Sequence, residues 1–201
     1  MLKDFNATGV PLDFAHGFTL DFDKNTGMSK VVDTGKRYLS QMKGMYHDTA
    51  AFDRMVQQKD SLVYEFHGLP APEKSGDLAF GASIVYPGKV GDEYFMTKGH
   101  FHTILDTAEV YYCLSGQGYM MIENPEGDWR ALALEAGRAV YVPARYAHRS
   151  INVGSDAPLV TFFVFRADAG HDYGSIETTG YRKLLVERDG QPAIIDNPKW
   201  K

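Results

Sequence analysis

Thr97-Lys98-Gly99-His100-Phe101-His102, followed by Glu109 and later by Pro143 and His148, spaces three histidines and a carboxylate along this 201-residue chain. His100 and His102 form a His-x-His pair. On a strand successive side chains alternate faces, so residues two apart point the same way. Both imidazoles can then reach one point. Glu109 opens the next apolar run, Val110 to Leu114, and His148 follows Val140-Tyr141-Val142-Pro143. Three imidazoles and a carboxylate suit a borderline divalent ion (Fe, Mn, Ni, Zn or Co) and leave positions open for substrate or water. A single histidine on a strand is more often a hydrogen-bonded core residue, and His-x-His alone is a motif of low specificity. The surrounding pattern has to carry the assignment.

Short runs rich in Val, Tyr, Phe and Ile recur at 61–67, 78–86, 93–97, 108–114, 118–123, 130–134, 139–142, 146–153, 158–166 and 182–195. Strands at intervals of about ten residues predict an all-β sandwich or barrel. Ser115-Gly116-Gln117-Gly118 reads as a hairpin turn, and Asp189-Gly190 is the strongest short hairpin signal in the chain. A barrel or double-sheet jelly roll removes sheet edges and encloses a ligand cavity. Upstream, residues 34–58 read as helical territory. Lys36-Arg37-Tyr38-Leu39 leads into Gln41-Met42, and after a break near Gly44, Asp48 or Thr49 caps a helix through Gln58 with Phe52 and Met55 on one face. The first thirty residues, broken by Gly9, Pro11, Gly17 and Gly27, read as an arm or an edge strand. No linker, repeat or low-complexity block divides the chain. The expectation is one domain over 1–201: an arm and short helices over 1–60, then a β-barrel core over 61–201.

Composition narrows the function classes. The chain is 44% hydrophobic and 13% aromatic, too apolar for a solvated coil. Its net charge of −5 argues against a main role in gripping nucleic acid or an anionic membrane. A single cysteine, Cys113, excludes an internal disulfide. The longest apolar run, Leu159 to Phe165, is seven residues and contains Thr161, too short to cross a bilayer. The opening MLKDFNATG lacks the apolar stretch of a signal peptide, so a cytoplasmic protein is expected.

The two histidine segments, His100-x-His102, six residues, Glu109, six residues, Gly116, and Gly137, five residues, Pro143, four residues, His148, three residues, Asn152, resemble the paired motifs of the cupin superfamily. That resemblance implies a double-stranded β-helix whose hairpins deliver three His and one Glu to one metal. The His102–Glu109 gap is longer than usual, Tyr94 stands where many cupins have Gly, and Arg145 replaces the Gly after Pro143. Tyr86-Pro-Gly-Lys-Val-Gly91, Thr97 to His102, Ala108-Glu-Val-Tyr111, Ala147-His-Arg149, Asp168-Ala-Gly-His-Asp-Tyr-Gly174 and Asp196-Asn-Pro-Lys-Trp200 are similar to the cupin-type glucose-6-phosphate isomerases. The resemblance implies a metal-dependent enzyme of glycolysis and gluconeogenesis that interconverts glucose 6-phosphate and fructose 6-phosphate. It also implies a homodimer, with one divalent ion per subunit (iron first). Position by position, the implied ligands are His100, His102, Glu109 and His148. Ser83, Thr97 and Gly99 fall at phosphate- and substrate-contacting positions, and Tyr111, His171 and Tyr173 line the same pocket. Phe165 falls where a relative carries Tyr, so no polar role passes to it.

Aldose–ketose isomerisation moves hydrogen between C1 and C2. A cis-enediol route needs a base and an electrophile, and a metal can supply the second. Glu109 is the candidate base. His171, ordinarily titrating near about 6.5, is the candidate proton shuttle. Tyr111 shares the Glu109 strand face. A hydride shift needs no base, and the sequence leaves that route open. No P-loop is present, so the phosphate falls to Thr97-Lys98-Gly99, with Lys98 on the His100 face if the strand is regular there. Arg145 and Arg149 compete for that role. Two rival functions remain at this point: a cupin dioxygenase or decarboxylase, and a non-catalytic sugar-phosphate-binding cupin.

Overall fold

The computed structural model describes residues 4–30 and 32–200. Residues 4–30 form turns rather than a strand, so the first segment is an arm. β1 (Asp33–Tyr38) runs into a 3-10 turn (Leu39–Met42), and α1 spans Thr49–Gln58. Asp48 caps α1, its carboxylate accepting from the Ala51 N–H at 2.8 Å. Phe52 is buried against Tyr46. The helical reading of 34–38 is corrected here: those residues pair antiparallel with β2 (Leu62–Gly68). The alternation of Lys36 with Arg37 and Tyr38 suits an edge strand as well as one helical turn, and the β2 partner decides.

Next come β3 (Leu78–Val85), β4 (Lys89–Val90), β5 (Glu93–Tyr94), β6 (Glu109–Ser115), β7 (Gln117–Glu123), β8 (Trp129–Glu135), β9 (Ala139–Val142), β10 (Ala147–Asn152) and β11 (Leu159–Arg166). The chain closes with α2 (Gly174–Thr179), β12 (Lys183–Arg188) and β13 (Gln191–Asp196). The sheets run β1-β2-β3-β11-β6-β9, β10-β7-β8 and β13-β12-β5-β4, with every pairing antiparallel. This is the all-β jelly-roll plan of a cupin, with α1 ahead of the barrel and, unlike the expectation of N-terminal helices alone, α2 near its C-terminal end.

The two turn readings fare differently. Asp189 (φ 51°) and Gly190 (φ 74°) join β12 to β13 as a two-residue turn with both residues left-handed. Ser115-Gly116-Gln117 is no hairpin: β6 pairs with β11 and β9, whereas β7 pairs with β10 and β8. Gly116 instead carries the chain from one sheet to the next. Its φ is +81°, and a Cβ there would lie 2.3 Å from the Pro158 carbonyl oxygen, so only glycine makes the crossing.

The large sheet is covered on both faces. Outside, the arm packs on β3 and β11: Phe22 meets Phe80 and Phe162, and Gly27 sits over Ala82, Ile84 and Val160. Inside, the alternate residues Ser83, Phe163 and Phe165 face a cavity shared with β6 and β10. Among the described residues no helix is long and apolar enough to cross a membrane.

Candidate metal centre

His100, His102, Glu109 and His148 come together at one end of this cavity. One donor atom from each lies within 4.8 Å of all the others. Glu109 begins β6 and His148 lies on β10 in the opposing sheet, so the jelly roll itself closes the distance. His100 and His102 are not on a regular strand. Residues 96–101 attach through isolated bridges, Met96 to Ile151, His100 to His148 and Phe101 to Asp172. The two rings nevertheless lie 5.7 Å apart, and His100 and His148 4.5 Å apart.

Glu109 is almost wholly enclosed, and its Oε2 lies 3.1 Å from His102 Nε2 and 2.9 Å from His148 Nε2. Burial alone would raise its carboxyl, but the imidazoles of His148, His102 and His100 outweigh that and hold it well below the carboxylate range. Burial, then the neighbouring His148 and His171, push His100 well below the ordinary imidazole value. The Nε2 atom of His100 is buried without a hydrogen bond, and that of His148 faces the Glu109 carboxylate. Three buried imidazoles gathered around one buried carboxylate are a donor set that fits a divalent ion.

The cavity holds about 280 Å³. His171 and Tyr173 are among its lining residues. Their rings stack at 6.0 Å, and His171 lies 4.4 Å from the His100 ring. Two backbone hydrogen bonds between Phe101 and Asp172, 3.0 and 2.8 Å, fasten this strap beside the ligands. Burial lowers His171, with Glu109 opposing and His102 and His148 reinforcing. Burial, then Glu109, raises the Tyr111 hydroxyl well above the phenol range. Ser83, Thr97 and Gly99 also line the cavity. The Thr97 oxygen accepts from the Ser150 N–H at 3.1 Å, which leaves its own proton to donate.

Lys98 lies apart from the other candidate site residues. Gly99 has φ +78°, which breaks the strand alternation, and the Lys98 ammonium turns out to Glu177 Oε1 at 2.6 Å instead of lining the cavity. The two competing arginines are also elsewhere. Arg145 pairs with Glu126 at the surface, and Arg149 is buried behind β10 over the Tyr181 ring, donating to the Lys98 carbonyl. Sequence reasoning missed Tyr64, Phe66, Ser150 and Phe163 among the lining residues. Ser150 was legible, since it is two residues beyond His148 on a strand. Tyr64 and Phe66 stand in no motif and are placed by β2–β3 pairing.

The family model described as glucose-6-phosphate isomerase matches residues 36–200. The chain belongs to the glucose-6-phosphate isomerase family. Relatives bearing that name include the protein of Thermococcus litoralis, 46% identical over 92% of this chain and 96% of the relative. That of Pyrococcus furiosus is 44% identical over the same shares. That of Pyrococcus horikoshii is 44% identical over 96% of each chain. Among solved structures, oxalate decarboxylase of Bacillus subtilis is 28% identical over 57% of this chain and 29% of its own, with a TM-score of 0.43, an overlap too partial to bear on the reaction.

Proposed function

We propose that the chain, as one cupin unit, interconverts glucose 6-phosphate and fructose 6-phosphate with a divalent ion held by His100, His102, Glu109 and His148. The observation that carries this reading is the convergence of those four donors beside a cavity that is also lined by the hydroxyl residues Ser83 and Thr97 and by Gly99. Family membership agrees with it. The ion supplies an electrophile at the C1 or C2 oxygen as charge develops during the reaction.

The protein's own groups do the rest. Ser83, Thr97 and the Gly99 N–H hold the phosphate end by donated hydrogen bonds. Tyr111 and Tyr173 border the sugar. Glu109, ionised and ringed by imidazoles, takes the C2 proton and returns it at C1 through a cis-enediol. His171, 4.4 Å from the His100 ring and shifted downward by burial, passes protons between sugar hydroxyls during ring opening. Phe66, Phe163 and Phe165 keep water from the reacting carbons. Iron is the favoured ion, with Mn, Ni, Zn and Co also suited to the donors. The same reading makes the protein a cytoplasmic homodimer in glycolysis and gluconeogenesis, with no nucleic-acid or membrane partner. Tyr112, Tyr141 and Val110, exposed on the outer face of β6 and β9, support a covered surface there.

The test is a coupled assay that follows glucose 6-phosphate formed from fructose 6-phosphate, run beside an oxygen electrode. Turnover without oxygen uptake supports the isomerase. Oxygen consumption, or carbon dioxide release from a carboxylate substrate, favours the dioxygenase or decarboxylase. Binding of fructose 6-phosphate without turnover favours the non-catalytic alternative.

A further inference from the structure

Thr107 lies in the loop between His102 and β6 and is buried there, and its hydroxyl oxygen is 2.7 Å from His102 Nδ1. The same hydroxyl donates to the Ile104 carbonyl at 2.7 Å. A hydroxyl has one proton. With that proton committed to Ile104, the Thr107 oxygen can only accept from His102. The Thr107 carbonyl, 3.2 Å from the same ring nitrogen, is also an acceptor. His102 Nδ1 therefore faces two acceptors and no donor.

We propose that Thr107 is a positioning residue that fixes His102 in the Nδ1–H tautomer and so turns the Nε2 lone pair toward the metal. Glu109 Oε2, 3.1 Å from Nε2, is the competing acceptor and on its own favours a proton there. The shorter contact and the second acceptor on the Nδ1 side decide the tautomer. His148 is served differently: its Nδ1 lies 3.3 Å from the Tyr146 carbonyl, a backbone group that no substitution removes. Thr107 is thus the side chain through which sequence sets the orientation of a ligand. The long six-residue gap between His102 and Glu109 provides the loop that brings it there. Outer hydrogen-bond partners of this kind raise ligand basicity and hold the ring in place.

This inference rests on the metal reading above, and two measurements keep them apart. The first is the tautomer of His102 in the metal-free protein, read from long-range nitrogen–proton correlations. A proton on Nδ1 is expected; a proton on Nε2 with bare Nδ1 overturns the proposal whether or not any metal binds. The second is metal affinity, measured by competition with a chelator for Thr107→Val and Thr107→Ser. Thr107→Val is expected to weaken binding by about 10- to 100-fold. Thr107→Ser, which keeps the hydroxyl, is expected to stay within a few fold of the parent. Equal affinity of Thr107→Val and the parent overturns the proposal, as does equal loss in both variants. If Thr107→Val does not fold, the tautomer and the serine variant still decide. A parent protein that binds none of the five metals removes the metal reading and leaves the tautomer result to judge Thr107.

Discussion

Gly99→Ala is the substitution with the largest worked consequence outside the ligand set. Gly99 has φ +78°, and a Cβ would lie 2.5 Å from the Tyr181 hydroxyl and 3.0 Å from both Arg149 Cβ and the His148 carbonyl oxygen. A left-handed non-glycine residue costs about 1–2 kcal/mol. Overpacking adds about 1–3 kcal/mol, and less relief than usual is available because Tyr181 and Arg149 are themselves buried. The sum is about 2–5 kcal/mol. At roughly 3 °C per kcal/mol for a chain of this size, Tm should fall by about 6–15 °C. The strain also acts on function, since His100 is the next residue and its N–H bonds the His148 carbonyl at 3.3 Å. Scanning calorimetry on metal-free protein and chelator competition on metal-loaded protein should both register the change. Tyr181→Phe removes the closest obstacle. Combined with Gly99→Ala it should recover part of the loss, with a coupling of about 0.5–3 kcal/mol. A Gly99→Ala protein with parental Tm and parental metal affinity would refute the close packing behind the histidine segment.

Other outcomes follow from the same geometry. His148→Ala should lower metal affinity and turnover together, whereas His171→Ala should keep metal and lose about 10²- to 10⁴-fold in kcat; loss of metal in the second variant makes His171 a ligand. Lys98→Gln should leave KM for fructose 6-phosphate within about twofold and cost about 0–1 kcal/mol of stability, because the ammonium serves Glu177; a large rise in KM returns Lys98 to the phosphate. His47 bonds Glu93 at 3.0 Å and Asp92 at 3.2 Å, and its imidazole is raised, first by the hydrogen bond to Glu93 against burial, then by Glu93, Asp92 and Asp48. A raised folded value gives stability that is complete below the unfolded pKa of about 6.5 and is lost as pH rises through the folded one. His47→Gln should therefore lower Tm more at about pH 6 than at about pH 8.5, and a pH-independent difference counts against the charged clamp.

The legibility of the chain in sequence tracks how local each determinant is. Asp189-Gly190 needs no help from the rest of the molecule, because two left-handed residues between apolar runs make one kind of turn. The Asp48 cap is local in the same sense. Ser115-Gly116-Gln117 also holds a turn glycine between apolar runs, but its outcome depends on Pro158, far along the chain, whose carbonyl crowds the crossing. Residues 34–38 fail for a related reason: their alternation is weak and their strand exists through β2. At the candidate site, spacing and resemblance pick out the four donors that the structure gathers. Lys98 misleads because one left-handed glycine reverses the alternation after it, and Thr107 escapes notice because its importance lies in where a single proton goes.

The most direct measurement is isomerisation of fructose 6-phosphate by the purified protein before chelation, after chelation, and after adding back Fe, Mn, Ni, Zn or Co one at a time. Activity should vanish with the chelator and return with at least one metal in the parent, and should not return in His148→Ala at the same metal concentration. Full activity in rigorously metal-free buffer, or equal recovery by the parent and His148→Ala, would contradict the account.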